Sequence, residues 1–470
     1  MARTFALIGI DAEPVHVEVD VARGLPAFTI VGLPDAAVRE SRERVRAALV
    51  NSGFEFPLRR ITANLAPADL RKAGPGFDLA IAAALLVASN QVPAGVLERY
   101  SLAGELALDG AIRPVPGALS MAEATRSLGL RGVAVAVADR EQAAFVAGIE
   151  VVALEHVSQL AELARGELEG DRASGFDPGS ERSEDGPDLA DLRGQPSLRR
   201  ALEVAAAGGH SLLLVGPPGA GKTLAARRLP SLLPPLAPTE AVEVMRIAGA
   251  CANGARPSAT RPFRAPHHTA SARALIGGGL PPRPGEITRA HRGVLFLDEL
   301  GEFHRDALEA LRQPLEEGRI SISRGGRTVS LPCRFMLVAA SNPCPCGRGP
   351  DSGECDCHQA VLARYRAKLS GALADRIDIR VGVDRPDAAG LAEAPGERSR
   401  TVRERVCAAR ERQRRRLGEG RCNADIGPDE IRRACPLRPA AERILRDGHE
   451  LLGLSGRGWD RIVRVARTIA

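Results

Sequence analysis

A short apolar run, Ser211-Leu-Leu-Leu-Val215, leads directly into Gly216-Pro-Pro-Gly-Ala-Gly-Lys222-Thr223, and a helical stretch over 224–233 follows. Strand, glycine loop and helix in that order make the P-loop pattern, whose chemistry is the binding of nucleotide phosphates. The glycines let backbone N–H groups turn toward phosphate, and the helix N-terminus adds favourable charge. Gly216, Pro217, Pro218, Gly219, Ala220, Gly221, Lys222 and Thr223 are thus the expected ATP-binding set. Lys222 would hold the β- and γ-phosphates and the Thr223 hydroxyl would ligate Mg²⁺. A second apolar run, Gly293-Val-Leu-Phe-Leu-Asp298-Glu299, delivers two carboxylates to the sheet edge where α/β folds place ligands. Neighbouring strand residues point opposite ways, so Asp298 can support the magnesium shell while Glu299 polarises an attacking water. A third, Phe335-Met-Leu-Val-Ala-Ala-Ser341-Asn342, ends on an amide able to orient that water or touch the γ-phosphate. A plain Asn-Pro turn with Pro343 is its alternative. In Leu373-Ala-Asp-Arg376-Ile-Asp378 an arginine lies between carboxylates. A structural ion pair competes there with stabilisation of transferring phosphoryl charge from a neighbouring subunit.

Three further clusters bear on binding. Ile320-Ser-Ile-Ser-Arg324-Gly-Gly-Arg327-Thr-Val-Ser-Leu331 predicts a hairpin around a Gly-Gly turn. Arg324 and Arg327 flank its tip and could grip DNA phosphates; two solvated surface arginines are the plainer reading. With one Trp and two Tyr, base-stacking platforms are not expected, so DNA would be held by its backbone, independent of sequence. His267 and His268 are adjacent and cannot easily face one ion, which favours a structural or pore-loop role over metal ligation. Cys344-Pro-Cys346 and Cys355-Asp-Cys357 offer four thiolates suited to a closed, structural zinc site. The spacing within each pair is tighter than usual for zinc, free thiols or a redox pair are the alternatives, and His358 could replace one cysteine.

Those motifs need a scaffold. At 470 residues the chain calls for more than one domain. Residues 1–165 alternate strands and helices: Val15, Val17, Val19 and Val21 mark a strand, Asp35 can cap a helix that Gly53 closes, and 131–138 reads as another strand. The polar, acidic, Gly/Ser/Pro-rich stretch 166–188 has linker composition. A second α/β domain is expected over 189–385, and the remainder, 386–470, is helical in pattern and basic around 403–416. The net charge of +6 permits an anionic partner without demanding one. Nearly all of the positive charge is Arg, with only Lys72, Lys222 and Lys368 as lysines. No apolar run approaches the ~18 residues of a membrane helix, and the first residues lack the long apolar region of a secretion signal. Nine cysteines, an odd number with four clustered, suit a metal clip in a reducing compartment, so the cytoplasm is expected.

In order and type, these elements resemble an AAA+ module: a P-loop domain with a parallel sheet and a helical lid. Phe263-Arg-Ala-Pro-His267-His268-Thr-Ala-Ser, Leu275-Ile-Gly-Gly-Gly279 and Pro284-Gly-Glu-Ile287 resemble the magnesium-chelatase-like AAA+ proteins. Phe28-Thr-Ile-Val-Gly-Leu-Pro34, Asn64-Leu-Ala-Pro-Ala-Asp69 and Gly104-Glu-Leu-Ala-Leu108 resemble the ComM/YifB family, and the resemblance covers essentially the whole chain. It implies a Walker A loop over 216–223, Walker B acids at Asp298 and Glu299, sensor 1 at Asn342 and an arginine finger acting in trans at Arg376. Sensor 2 falls on Arg457, with Arg461 as a competing candidate. Further, it implies a homo-hexameric ring with ATP sites between subunits, and ATP-driven DNA unwinding and branch migration in natural transformation, alongside recombination or DNA-uptake proteins. Relatives continue past the Ala-Arg-Thr-Ile-Ala470 motif, so the lid is expected to be shorter here.

The N-terminal domain resembles the Lon-protease (ribosomal S5-like) fold, which cuts with a Ser–Lys dyad. Aligned to it, Gly76 takes the nucleophile's place and Leu119 the base's, and neither can support acyl transfer, so proteolysis is not expected. The competing activity is a chelatase-type motor that remodels a protein partner for metal insertion; a nucleotide-holding switch without turnover is the third reading.

Overall fold

In the computed structural model the alternating valines lie in strand Asp11–Ala22, where Val15 and Val17 are buried and Glu18 and Asp20 face solvent, as a period of two requires. The structure describes residues 1–173, 175, 186–252, 260–324, 327–350, 353–369 and 373–470. Strand Asp11–Ala22 pairs antiparallel on both sides, Val17 opposing Ala2 and Leu65. From edge to edge the N-terminal sheet runs Asp171–Arg172, Glu150–Leu154, Gly132–Ala136, Tyr100–Ala103, Ala2–Ile8, Asp11–Ala22, Arg60–Ala66, Ala27–Val31. Both faces are covered. Val133 and Val135 pack with Leu119 and Met121, whereas Ala134 and Ala136 face the core around helix Asp78–Ala88. Helix Ala36–Asn51 starts as expected at Asp35, whose carboxylate accepts from the Val38 amide at 2.9 Å, a cap that stabilises by about 1 kcal/mol.

Asp78 is fully buried and accepts from Ser41 Oγ, from Arg44 Nε at 2.7 Å and from the Leu106 amide at 3.2 Å. That carboxylate in turn holds the Arg44 guanidinium above its ordinary pKa. Asp78→Ala would leave the arginine and the amide without their acceptor. We expect it to lower the stability of the N-terminal domain by about 3–5 kcal/mol, read by urea denaturation.

The expected linker differs from the structure at its start. Asp171–Arg172 pairs antiparallel with Val151 and Glu150 and extends the sheet. Both residues are exposed, so no hydrophobic alternation marked them; backbone pairing alone makes this edge strand. Within the expected linker, 174 and 176–185 lie outside the described residues.

The second sheet is entirely parallel, in the order Phe263–Arg264, Val294–Leu297, Met336–Ser341, Leu212–Val215, Ile379–Gly382. The P-loop strand therefore sits between the Asn342 strand and the last strand. The chain leaves Leu212–Val215 toward one edge and reaches Ile379–Gly382 at the other, and such a switch point is where open α/β sheets bind ligands. C-terminal to the sheet come helices Ala388–Ala392, Ser399–Leu417, Pro428–Ala434, Pro439–Leu452 and Gly456–Ile469. Val402 and Val406 of the longest bury against the P-loop module with Ala205 and Leu229. No helix among the described residues is long and apolar enough to cross a membrane.

The two sheets are joined through a shared core. Ile10 is buried with Ile320, Ile322, Val329 and Leu331 of the hairpin Arg319–Arg324/Arg327–Pro332. Met245 of helix Pro238–Cys251 packs among Phe5, Leu119 and Val133. Arg246 ion-pairs with both Asp11 and Glu123, and the Gly117 amide donates to the Gly249 carbonyl at 2.9 Å. The hairpin expected from the sequence is present, but its apolar face is seated on the N-terminal domain. Its Gly325-Gly326 tip lies outside the described residues.

Candidate functional site

The carboxyl edge of the second sheet gathers residues from three strands. Gly216 leaves the P-loop strand with its amide on the Ser341 carbonyl at 3.2 Å; a Cβ there would lie 2.0 Å from the Val383 carbonyl oxygen, so only glycine fits. Gly221 caps helix Lys222–Leu232 at φ +90°, a left-handed conformation that glycine adopts without strain. The turn brings Lys222 back over the loop. Its Nζ donates to the Gly216 and Pro217 carbonyls at 2.6 and 2.9 Å and to Asn342 Oδ1 at 3.1 Å. Burial pulls the Lys222 ammonium below its ordinary pKa, and the Asp298 charge opposes that shift.

Thr223 Oγ1 donates to Asp298 Oδ2 at 2.7 Å. Hydroxyl and carboxylate are hard oxygen donors of the kind magnesium takes, so the pair fits that ion, which would bring cationic charge beside the phosphates. Glu299, directly after, adopts φ 52°, ψ 50°. A left-handed non-glycine residue costs about 1–3 kcal/mol and is a feature that clusters at functional sites. The Glu299 side chain is half exposed, and its Oε2 lies 3.0 Å from His268 Nδ1. His267 points elsewhere, to Thr269 Oγ1 at 2.9 Å. The two imidazoles nevertheless pack against each other, ring centroids 4.1 Å apart and 35° between their planes, while their Nδ1 atoms take separate partners.

The structure thus brings Lys222, Thr223, Asp298, Glu299 and Asn342 together. Arg376 stands apart from that group, ion-paired with the half-exposed Glu316. Arg457 is exposed at the start of helix Gly456–Ile469, while Arg461 one turn later donates to the Ile377 carbonyl at 2.7 Å. Arg327 ion-pairs with Asp69 of the N-terminal domain at 3.1 Å, and Arg324 is exposed opposite it across the hairpin. At the positions of the expected protease dyad, Leu119 is fully buried and Gly76 faces Val115.

Two site residues and one pairing escaped the sequence reading. Arg385 Nε donates to the Pro218 carbonyl at 2.8 Å, setting a second cation over the P-loop. Its signal was its place just beyond the carboxyl end of the last strand. Gln195 Nε2 ties the Ala220 carbonyl, at 2.7 Å, to that of Asp384, at 3.0 Å. His268 and Glu299 were both singled out in the sequence, but not as partners.

The four clustered cysteines also converge. All are free thiols, and their sulfurs lie within 4.8 Å of one another. They follow Asn342 directly, so any ion they hold would sit beside the nucleotide edge.

Comparison with known proteins agrees with this geometry over the whole chain. Residues 188–391 match the family described as magnesium chelatase, subunit ChlI. Residues 17–139 match subunit ChlI of Mg-chelatase, and 396–470 its C-terminal region. The chain is 44% identical over 474 residues to an uncharacterized protein YifB of Escherichia coli, covering 100% of this chain and 92% of that protein. It is 41% identical over 472 residues to the competence protein ComM of Haemophilus influenzae, covering 99% and 92%. To the magnesium-chelatase 38 kDa subunit of Cereibacter sphaeroides it is 28% identical over 172 residues, 32% of this chain. Near-complete coverage at that identity, on this strand order and P-loop, fixes the assignment: the chain belongs to the ComM/YifB family of magnesium-chelatase-like AAA+ proteins.

Proposed function

We propose that this chain is a Mg²⁺-dependent ATPase that assembles into a hexameric ring and works on DNA in the cytoplasm as a helicase or branch-migration motor. The observation that carries the ATPase reading is the pair of bonds Lys222–Asn342 and Thr223–Asp298, which set cation, amide, hydroxyl and carboxylate around one phosphate-sized edge. In this reading the P-loop amides and Lys222 bind the β- and γ-phosphates, and Thr223 and Asp298 hold the magnesium ion. Glu299 takes the proton of the attacking water, and Asn342 orients that water. His268 holds the Glu299 carboxylate to one side, so closure on nucleotide would have to turn it inward. Arg376 acts on the neighbouring subunit's nucleotide, which accounts for its distance from its own P-loop edge, and Arg457 or Arg461 completes the lid side. Cys344, Cys346, Cys355 and Cys357 hold a structural zinc ion.

DNA as the substrate is supported by the relative named as a competence protein, and the net charge of +6 permits it; recombination or DNA-uptake proteins are the partners that fit. Arg324 remains an exposed candidate for phosphate contact. Arg327 must give up Asp69 to join it. The test is ATP turnover against DNA concentration at two salt levels. Backbone binding predicts that the DNA needed for half-maximal stimulation rises at least about tenfold between roughly 50 and 200 mM salt. The partial match to a magnesium-chelatase subunit favours the second reading, a motor acting on a protein partner. Stimulation by such a partner and none by DNA would support that reading and overturn the first.

A further inference from the structure

We infer that the metal held by the four cysteines is what positions the sensor loop on the P-loop, so that nucleotide affinity depends on zinc occupancy. The inference rests on the zinc assignment proposed above and adds its consequence for the nucleotide site.

The cage has the right size. Cys346 Sγ lies 3.2 Å from Cys344 Sγ and 3.7 Å from Cys355 Sγ, and Cys355 lies 3.8 Å from Cys344. In a tetrahedral tetrathiolate with bonds of about 2.3 Å, the sulfur–sulfur edge is about 3.8 Å. Cys344 is buried and its sulfur accepts from the Gly349 amide at 3.2 Å, the kind of outer hydrogen bond that orients a metal ligand. Arg348 ties the two arms together, donating to the Glu354 carbonyl and to Asp356 Oδ2, both at 3.0 Å.

The loop has no large apolar side chains with which to hold a shape. Between Asn342 and helix Gln359–Leu369 the sequence supplies Pro, Gly, Arg, Asp, Ser, Glu, Cys and His and no large apolar side chain. It cannot build a core of its own, and in such segments metal binding supplies the ordering free energy. Yet this loop touches the phosphate site at both ends. Gly347 is seated so closely on the P-loop that a Cβ there would lie 2.8 Å from Pro218 Cδ. At the far end Tyr365 of the following helix donates to the Asn342 carbonyl at 3.2 Å and meets Ser341 Oγ at 3.0 Å. Releasing the cysteines would free Gly347 from Pro218 and loosen Asn342, the amide that accepts from Lys222.

Binding is balanced as four thiols and one Zn²⁺ giving a tetrathiolate of charge −2 and four protons to solvent. The test uses the full chain, grown with zinc. Elemental analysis should find about one zinc per chain. Cobalt exchanged into the wild-type chain should show the thiolate-to-metal charge-transfer band and strong visible bands of a tetrahedral sulfur site. Cys344→Ser and Cys357→Ser should lose the metal, whereas Cys251→Ser should keep it. Zinc would then be removed with a mercurial, its release followed by a colorimetric chelator, and the affinity for a fluorescent ATP analogue with Mg²⁺ measured before and after. We expect about tenfold weaker binding, restored when thiol and zinc are returned. No metal after supplementation, iron in its place, or an affinity unchanged within about twofold after release would each overturn the inference. Because affinity is read without DNA or turnover, failure of the DNA-motor reading would leave this result standing.

Discussion

Glu299→Gln should bind MgATP as the parent does and hydrolyse it at least about 100-fold more slowly. The substitution keeps size and shape at a residue held at φ 52°, so the local backbone strain is the same in both chains. Thr223 and Asp298 are untouched, so the magnesium donors stay 2.7 Å apart, and the Lys222 contacts that would be exchanged for phosphate remain. What is lost is the carboxylate's charge, and with it the ability to take a proton from water. The variant should therefore separate binding from chemistry, with an unchanged Kd for an ATP analogue and a collapsed kcat. Turnover near the parent rate would remove Glu299 from its role and leave Asp298 as the remaining acid at the edge.

Arg376→Ala should be as damaging, for a different reason. An arginine that stabilises transferring phosphoryl charge contributes about 10³–10⁵ in rate, and its loss should show in kcat while each subunit still binds nucleotide. Arg376 stands ion-paired with Glu316 just before the start of strand Ile379–Gly382, whereas Lys222 follows the carboxyl end of the neighbouring parallel strand Leu212–Val215. If the catalytic site is shared, a subunit lacking Lys222 can still lend its arginine, and a subunit lacking Arg376 can still lend its P-loop. Mixing Arg376→Ala with Lys222→Ala should thus restore part of the ATPase rate, where each alone is inactive. Sedimentation must first establish that both variants form rings. Intact rings with no recovery at any mixing ratio would contradict a site built from two subunits.

How far the sequence disclosed this site follows from how local each signal was. Asp298 and Asn342 each close a contiguous apolar run, and Lys222 and Thr223 follow one across the glycine loop, so strand and ligand residue were legible together, and the parallel sheet joins those runs at one edge. Arg385, Gln195 and the His268–Glu299 pair carry no such local pattern. Gln195 and His268 meet the edge from other stretches of chain, and Arg385 turns back over the P-loop, through polar contacts that only the fold defines. The hairpin was legible in its alternation, but alternation gives one apolar face and not what covers it. That face meets Ile10 of the N-terminal domain, across about 300 residues of chain. Strand Asp171–Arg172 failed for the opposite reason: its side chains are polar and only its backbone is paired.

The central claim is that this carboxyl edge splits a nucleoside triphosphate. Its most direct test is release of inorganic phosphate by the full chain, given ATP and Mg²⁺, alone and with single-stranded, forked and four-way DNA. The account predicts magnesium-dependent release that DNA accelerates and that Glu299→Gln abolishes. Tight ATP binding with no phosphate released under any of these conditions would contradict it.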